Sequence, residues 1–189
     1  TDQETNEIEN YISKTEITLV PNPLPFQLYE NFNRSFEKTF VYFGRMHPIK
    51  NISLIVKSFI ESKLYNDGWR LDIFGIKDDE KYFLEIQELI KKYSQITIKD
   101  PIFGKEKQII MKKSWCNILL SKSEVLSLSL IESSALGLPT IYPLGLDTGD
   151  YKESTFPVSE NKESISQKFK EISQISKDKR QHIQKKIFE

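Results

Sequence analysis

Two short stretches of the sequence combine residue types that could bind an anion and a set of hydroxyl groups. The first is Gly44-Arg45-Met46-His47-Pro48-Ile49-Lys50-Asn51. Gly44 permits a tight backbone, Arg45 offers a planar fork that matches phosphate oxygens, and Lys50 adds a point charge beside the start of a helix. Together they describe an anion clamp. Arg45 and Lys50 are also ordinary charges for a surface loop, and that reading stays open at this level. The second stretch runs from Ser121 to Pro139 and holds Glu124 and Glu132, eight residues apart around a strand-to-helix turn. Carboxylates placed there could accept hydrogen bonds from sugar hydroxyls while amides at the helix start face phosphate. Capping competes with this, because Ser121-x-x-Glu124 and Ser129-x-x-Glu132 both match the pattern in which a glutamate reaches back to backbone amides.

Other chemistries find little support. His47 and His182 are the only histidines and no Gly-x-Ser-x-Gly elbow occurs, which argues against a Ser-His-Asp hydrolase. His47 reads as a solvent-facing loop residue. The Gly-x4-Gly-Lys-Ser/Thr and Gly-x-Gly-x-x-Gly patterns are both missing, which removes nucleotide hydrolysis and nicotinamide binding as leading readings. Asp78-Asp79 and Asp147-x-x-Asp150 are the candidate acidic pairs for a metal. Neither has a histidine or third carboxylate at ligand spacing, so both read as surface loops. Cys116 is the only cysteine, which excludes a disulfide framework and a cysteine zinc site.

The elements that must position these loops follow from periodicity. Thr39 to Phe43 reads as a buried strand, and apolar residues at 52, 55, 56, 59, 60 and 64 make Asn51 to Leu64 an amphipathic helix. The unit repeats, with a strand from Trp69 to Phe74 and a helix from Asp79 to Tyr93. Strands are then expected at Ile96 to Ile98, Cys116 to Ser121, Thr140 to Tyr142 and, weakly, Phe156 to Val158. Helices are expected at Lys105 to Lys113 and at Leu128 to Leu136, the latter closed by Gly137 and Pro139. Before these, Ile8, Tyr11 and Ile12 are isolated apolar contacts. Ile17 to Val20 reads as a short strand stopped by Pro21-Asn22-Pro23, and Phe26 to Lys38 as a lead-in without a clean period. Trp69 and Trp115 flank strands as packing residues. Strands alternating with helices imply an α/β fold, a Rossmann-like doubly wound parallel sheet. In the strand order 3-2-1-4-5-6, ligands bind outside the carboxyl ends of strands 1 and 4, where both unusual loops fall.

Length allows one compact domain, and the 27 basic and 27 acidic residues leave no overall field to draw the chain onto nucleic acid or anionic lipid. No apolar run approaches the ~18 to 20 residues of a membrane span. The chain begins at Thr1 without an initiator Met, which suggests a piece of something longer. Residues 1 to 38 read as a lead-in or linker from a missing amino-terminal domain and 39 to 175 as the Rossmann-like domain. Residues 176 to 189 read as a helical tail, either solvated or returning to the missing domain.

With these residues in view, a family resemblance emerges. Gly44-Arg45-x4-Lys50-Asn51 and Glu124-x7-Glu132, the latter followed by Ser-Ser-Ala-Leu-Gly-Leu-Pro, resemble the carboxy-terminal domain of the retaining glycosyltransferases of family 4. The resemblance runs from Ile17 to Ile175, and Val20-Pro21-Asn22-Pro23 is similar to the link between the two domains of these enzymes. It implies one half of a GT-B, twin-Rossmann enzyme, with the nucleoside-diphosphate sugar bound mainly by the half seen here.

By that resemblance Arg45 and Lys50 hold the diphosphate and stabilise charge on the leaving nucleotide, which makes them catalytic as well as binding residues. Glu132 takes ribose hydroxyls, and Glu124 takes donor-sugar hydroxyls and joins the catalytic set. Gly44, Gly75, Phe103, Leu126, Ser127 and Leu128 complete the donor site, with the base near Gly75 and Pro101-Ile102-Phe103-Gly104. The family usually has a Gly-aromatic-Gly type turn after its first glutamate, whereas this chain has Val125-Leu126-Ser127, which narrows backbone approach to the donor.

The resemblance further implies no cofactor and no active-site metal, an acceptor glycan or lipid-linked sugar brought by the missing domain, and no nucleic-acid partner. Its setting would be bacterial surface polysaccharide or lipopolysaccharide biosynthesis, in the cytoplasm, at most peripheral at the inner face of the membrane. The isolated piece is expected to be inactive. Two alternatives are a non-catalytic nucleotide-sugar binding module and a sugar-nucleotide epimerase of the same architecture.

Overall fold

A computed structural model describes residues 35–124, 127–146 and 148–188. The sequence readings at Ile8 to Val20, the first part of the lead-in, Val125, Leu126 and Asp147 lie outside the described residues. Six strands form one sheet: β1 (Thr39–Phe43), β2 (Arg70–Phe74), β3 (Ile96–Lys99), β4 (Cys116–Ile118), β5 (Thr140–Pro143) and β6 (Thr155–Val158). Their order is β3-β2-β1-β4-β5-β6, and each neighbouring pair is parallel. The helices are α1 (Ile52–Ser62), α2 (Glu80–Ile90), α3 (Gly104–Lys113), α4 (Leu128–Ala135), α5 (Lys162–Ser173) and α6 (Lys177–Phe188). The doubly wound α/β expectation holds.

The central strand shows why. All five residues of β1 are buried, so it reads as a continuous apolar run rather than an alternation. Its side chains nevertheless divide by parity between the two faces. Phe40 and Tyr42 join the large cluster with Ile55 and Phe59 of α1, Ile86 of α2 and Phe169 of α5. Phe40 meets the Phe169 ring edge-on at 4.8 Å and Phe59 at 6.1 Å. Val41 and Phe43 join Met111 of α3 and Leu136 and Leu138, which follow α4, on the other face. Each such side chain contributes about 1.5–3 kcal/mol when fully buried.

Several boundaries differ from the sequence reading for local reasons. The helix expected from Asn51 begins at Ile52, because Pro48–Lys50 forms a 3-10 turn and Asn51 takes a left-handed conformation (φ 57°) that asparagine tolerates better than most residues. Asp79 lies outside α2 as its cap, its side chain accepting from the Tyr82 amide at 2.8 Å. β4 stops at Ile118 instead of Ser121, although the Leu119 amide still reaches Ile141 O at 2.9 Å. α4 ends as its Gly137 predicted: φ is 65°, and the Gly137 and Leu138 amides return to Ser134 O and Ser133 O at 2.9 and 2.8 Å.

The charged terminal segment is tied to the domain rather than simply solvated. Arg180 of α6 is 1% exposed, donating to Trp115 O at 2.8 Å and Gly137 O at 2.9 Å, with its guanidinium 4.6 Å from the Phe36 ring centre. Trp69 and Trp115 are buried and meet edge-on at 5.5 Å, as packing residues should.

Candidate functional site

β1 and β4 are adjacent, but β1 leads to a helix on one face of the sheet while β4 leads to α4 on the other. Their loops therefore part, and a cleft of about 410 Å³ opens outside the carboxyl ends of the strands. Arg45, Lys50 and Glu124 all line it, as do Gly44, Gly75, Phe103, Ser127 and Leu128. Most of the predicted site residues are thus brought together. Leu126 lies outside the described residues.

The floor is built from two glycines in close approach. The Gly44 amide bonds Phe74 O at 3.1 Å and the Met46 amide bonds Ile76 O at 2.8 Å, extending the β1–β2 pairing into the loops. A Cβ on Gly75 would lie 2.2 Å from Gly44 O, and one on Gly44 would lie 2.6 Å from the Tyr42 hydroxyl. Gly75 therefore demands glycine against the backbone, while a side chain at Gly44 would have to displace the Tyr42 ring. Tyr42 donates its hydroxyl to Arg45 O at 3.0 Å. Burial above all, and then the Glu124 charge, push its phenol well above the usual value, so it remains a protonated brace rather than a base.

Lys50 is aimed by the bend that follows it. Asn51 turns left-handed and ties its side chain to Glu160 Oε1 at 2.6 Å. The Lys122 amide bonds Ile49 O at 2.9 Å, joining the loops after β1 and β4. His47 is half-buried and caps the 3-10 turn through Nδ1, which accepts from the Ile49 amide at 3.2 Å. It is a structural residue of the loop, not a merely solvated one.

Across the cleft, Lys50 Nζ meets Glu124 Oε1 at 2.5 Å, and the Ser121 hydroxyl donates to the same oxygen at 2.6 Å. No helix begins at Ser121, so this is not a capping box. Nor is Ser129-x-x-Glu132 one, since α4 starts at Leu128 with Ser127 as a cap that makes no side-chain bond. Glu132 is instead paired with Lys107 of α3. Among the described residues nothing bonds Glu124 Oε2 or Glu132 Oε1, so each carboxylate is tethered by one oxygen; Glu124 lines the cleft, whereas Glu132 does not and meets it through Lys107.

Arg45 is exposed and pairs with Asp78 at 2.8 Å, which occupies the first acidic pair, Asp79 being the cap of α2. Among the described residues no group of three or more His, Cys, Asp or Glu side chains is placed to hold a metal ion. Phe103, 69% exposed, and Leu128, 52% exposed, give the cleft apolar lips. Sequence reasoning missed Lys107, and it named Asp78 only as half of an acidic pair in a surface loop, not as the partner of Arg45. Each meets its partner only in the folded chain, 25 and 33 residues away, and no local pattern marks either.

Three cations, Arg45, Lys50 and Lys107, two carboxylates with an unpaired oxygen each and apolar lips suit a ligand carrying phosphate, hydroxyls and a flat ring. The sequence profile of the family described as glycosyl transferases group 1 matches residues 27–144. The chain belongs to that family. Solved glycosyltransferases share the fold. The pneumococcal O-GlcNAc transferase GtfA, in complex with UDP and GlcNAc, superposes with a TM-score of 0.72 at 18% identity, over 100% of this chain and 40% of GtfA. A point mutant of TarM from S. aureus, in complex with Fondaparinux, alpha-GlcNAc-glycerol and UDP, gives 0.77 at 17% identity over 99% of this chain and 38% of TarM. A glycosyltransferase from Rickettsia africae gives 0.65 at 19% identity over 79% and 42%. The chain therefore spans about 40% of the solved glycosyltransferases it matches. No curated protein sequence matches it.

Proposed function

We propose that this chain is the donor-binding half of a retaining glycosyltransferase, which moves a sugar from a nucleoside-diphosphate donor to an acceptor. One observation carries the reading: Arg45, Lys50 and Glu124 line one cleft at the β1/β4 divide, and Glu132 of α4 is tied to it through Lys107. Arg45 and Lys50 take the diphosphate and stabilise the charge that grows on it as the glycosidic bond breaks. The free oxygen of Glu124 accepts from donor-sugar hydroxyls and that of Glu132 from ribose hydroxyls, while Gly75 and Phe103 flank the base. No metal or cofactor takes part. Residues 1 to 38 link to an acceptor domain, which brings a glycan or lipid-linked sugar, and transfer requires both halves. The proposed setting is bacterial surface polysaccharide or lipopolysaccharide synthesis, with the enzyme cytoplasmic or peripheral at the inner membrane face. Among the described residues no helix is long and apolar enough to cross a membrane.

Calorimetric titration of the chain with UDP-, GDP- and ADP-linked sugars tests the assignment. UDP, present in the GtfA and TarM structures, heads the panel. Binding by one donor class that weakens by about tenfold or more in Arg45→Ala and Glu132→Ala is expected, each variant losing a charged hydrogen bond. Equal, millimolar-or-weaker affinity in all three proteins would sink it.

A further inference from the structure

We infer that Lys107 is a positioning residue for the donor ribose: it holds the Glu132 carboxylate in the orientation that accepts the ribose hydroxyls. The inference rests on the donor-site reading above. Lys107 lies at the end of the first turn of α3 and lines the same cleft as Arg45 and Lys50. Its ammonium donates to Glu132 Oε2 and sits 5.2 Å from the centre of the Phe43 ring. Both partners are nearly enclosed, the Lys107 side chain being 15% exposed and that of Glu132 10%.

This pair differs from the surface lysine–glutamate pairs of the chain in its burial. Lys57–Glu85 and Lys91–Glu88 are exposed, where such contacts contribute little. At Lys107 the charges sit in a nearly closed site, where an unpaired carboxylate is costly and is driven to turn toward water. Lys107 thus fixes one oxygen of Glu132 and leaves the other, unpaired among the described residues, free to accept from hydroxyls. The neighbouring ring of Phe43 adds a second restraint on the ammonium. Lys107 need not touch the ligand to do this.

The pairing makes a prediction that a merely structural lysine would not. Take whichever of UDP, GDP and ADP binds the chain, and its 2′,3′-dideoxy analogue, and measure both affinities calorimetrically for wild type, Lys107→Met and Lys107→Arg, with thermal midpoints recorded in parallel. Wild type should prefer the ribose form by about tenfold or more, the value of hydrogen bonds to a charged acceptor. Lys107→Met should lose that preference while binding the dideoxy analogue as wild type does, and Lys107→Arg should restore most of it. An unchanged preference in Lys107→Met, an equal loss for both ligands, tighter binding of the ribose form, or no preference in wild type would each overturn the inference. If none of the three diphosphates binds wild type, the donor-site reading itself fails and this inference falls with it.

Discussion

Lys50 and Glu124, 74 residues apart in sequence, join the loops after β1 and β4 by a contact of 2.5 Å between side chains that are 19% and 13% exposed. The cation read as a diphosphate ligand and the carboxylate read as a sugar ligand therefore hold each other across the cleft. Removing either leaves a poorly hydrated charge alone. Lys50→Met and Glu124→Gln should each destabilise the chain, yet the double variant should lose less than their sum. A coupling of about 1–3 kcal/mol is expected. Urea denaturation of the four proteins measures it, and strict additivity would show that the pair is not formed in solution.

Arg45 and Asp78 form a looser pair, with exposures of 59% and 34%. Such a pair contributes about 0–1 kcal/mol, so a ligand phosphate can displace it readily. Asp78→Asn should tighten nucleoside-diphosphate binding by up to about fivefold at low ionic strength, because the guanidinium no longer has to leave a partner. The gain should shrink in high salt, where an exposed charge is screened. Titrations at two ionic strengths give both numbers.

Gly75 admits no side chain, since an added Cβ would lie 2.2 Å from Gly44 O. Gly75→Ala must force the loops after β1 and β2 apart. A stability loss of about 1–3 kcal/mol by urea denaturation is expected, as for overpacking elsewhere, together with weaker donor binding. Gly68→Ala is the control: open space surrounds it, but its φ of 78° should still cost about 1 kcal/mol.

Arg180 lacks a carboxylate partner among the hydrogen bonds of its buried head, and Nη2 bonds nothing among the described residues. Burial draws the guanidinium down to about 10. Its value lies in the two carbonyls it satisfies, Trp115 O before β4 and Gly137 O after α4. Arg180→Ala should cost about 2 kcal/mol by leaving both unpaired, and should speed amide exchange along α6 more than elsewhere.

Cys116 gives the alkaline side of the stability profile. Its thiol is fully buried and is pushed up to about 12 from 9.0, chiefly by burial. For an acid whose folded value is raised, the unfolded chain loses its proton first, so stability is complete below pH 9 and falls as pH rises toward about 12. Thermal midpoints of wild type and Cys116→Ala between pH 8 and 11 should show a shallower alkaline decline in the variant.

What could be read from the sequence divides along a physical line. Gly44, Arg45, Lys50, Glu124 and the Gly137 stop were legible because each sits at a fixed offset from a strand or helix end, and those ends follow from apolar periodicity. The pairings of Lys107 with Glu132 and of Asp78 with Arg45 were not, because these partners meet only through packing of separate crossover units. The capping-box pattern failed at both glutamates for a related reason: it matches residue types without knowing that α4 starts at Leu128. Arg180 was hidden in a run of charges whose periodicity gives no hint that one member turns inward.

The donor site is tested most directly by a crystal structure of the chain with the nucleoside diphosphate that binds it. Phosphate oxygens are expected within about 3.2 Å of Arg45 and Lys50 nitrogens and a ribose hydroxyl within about 3.2 Å of Glu132 Oε1, the range of hydrogen bonds. A diphosphate bound away from Arg45 and Lys50, or a ribose with no contact to Glu132, would contradict it.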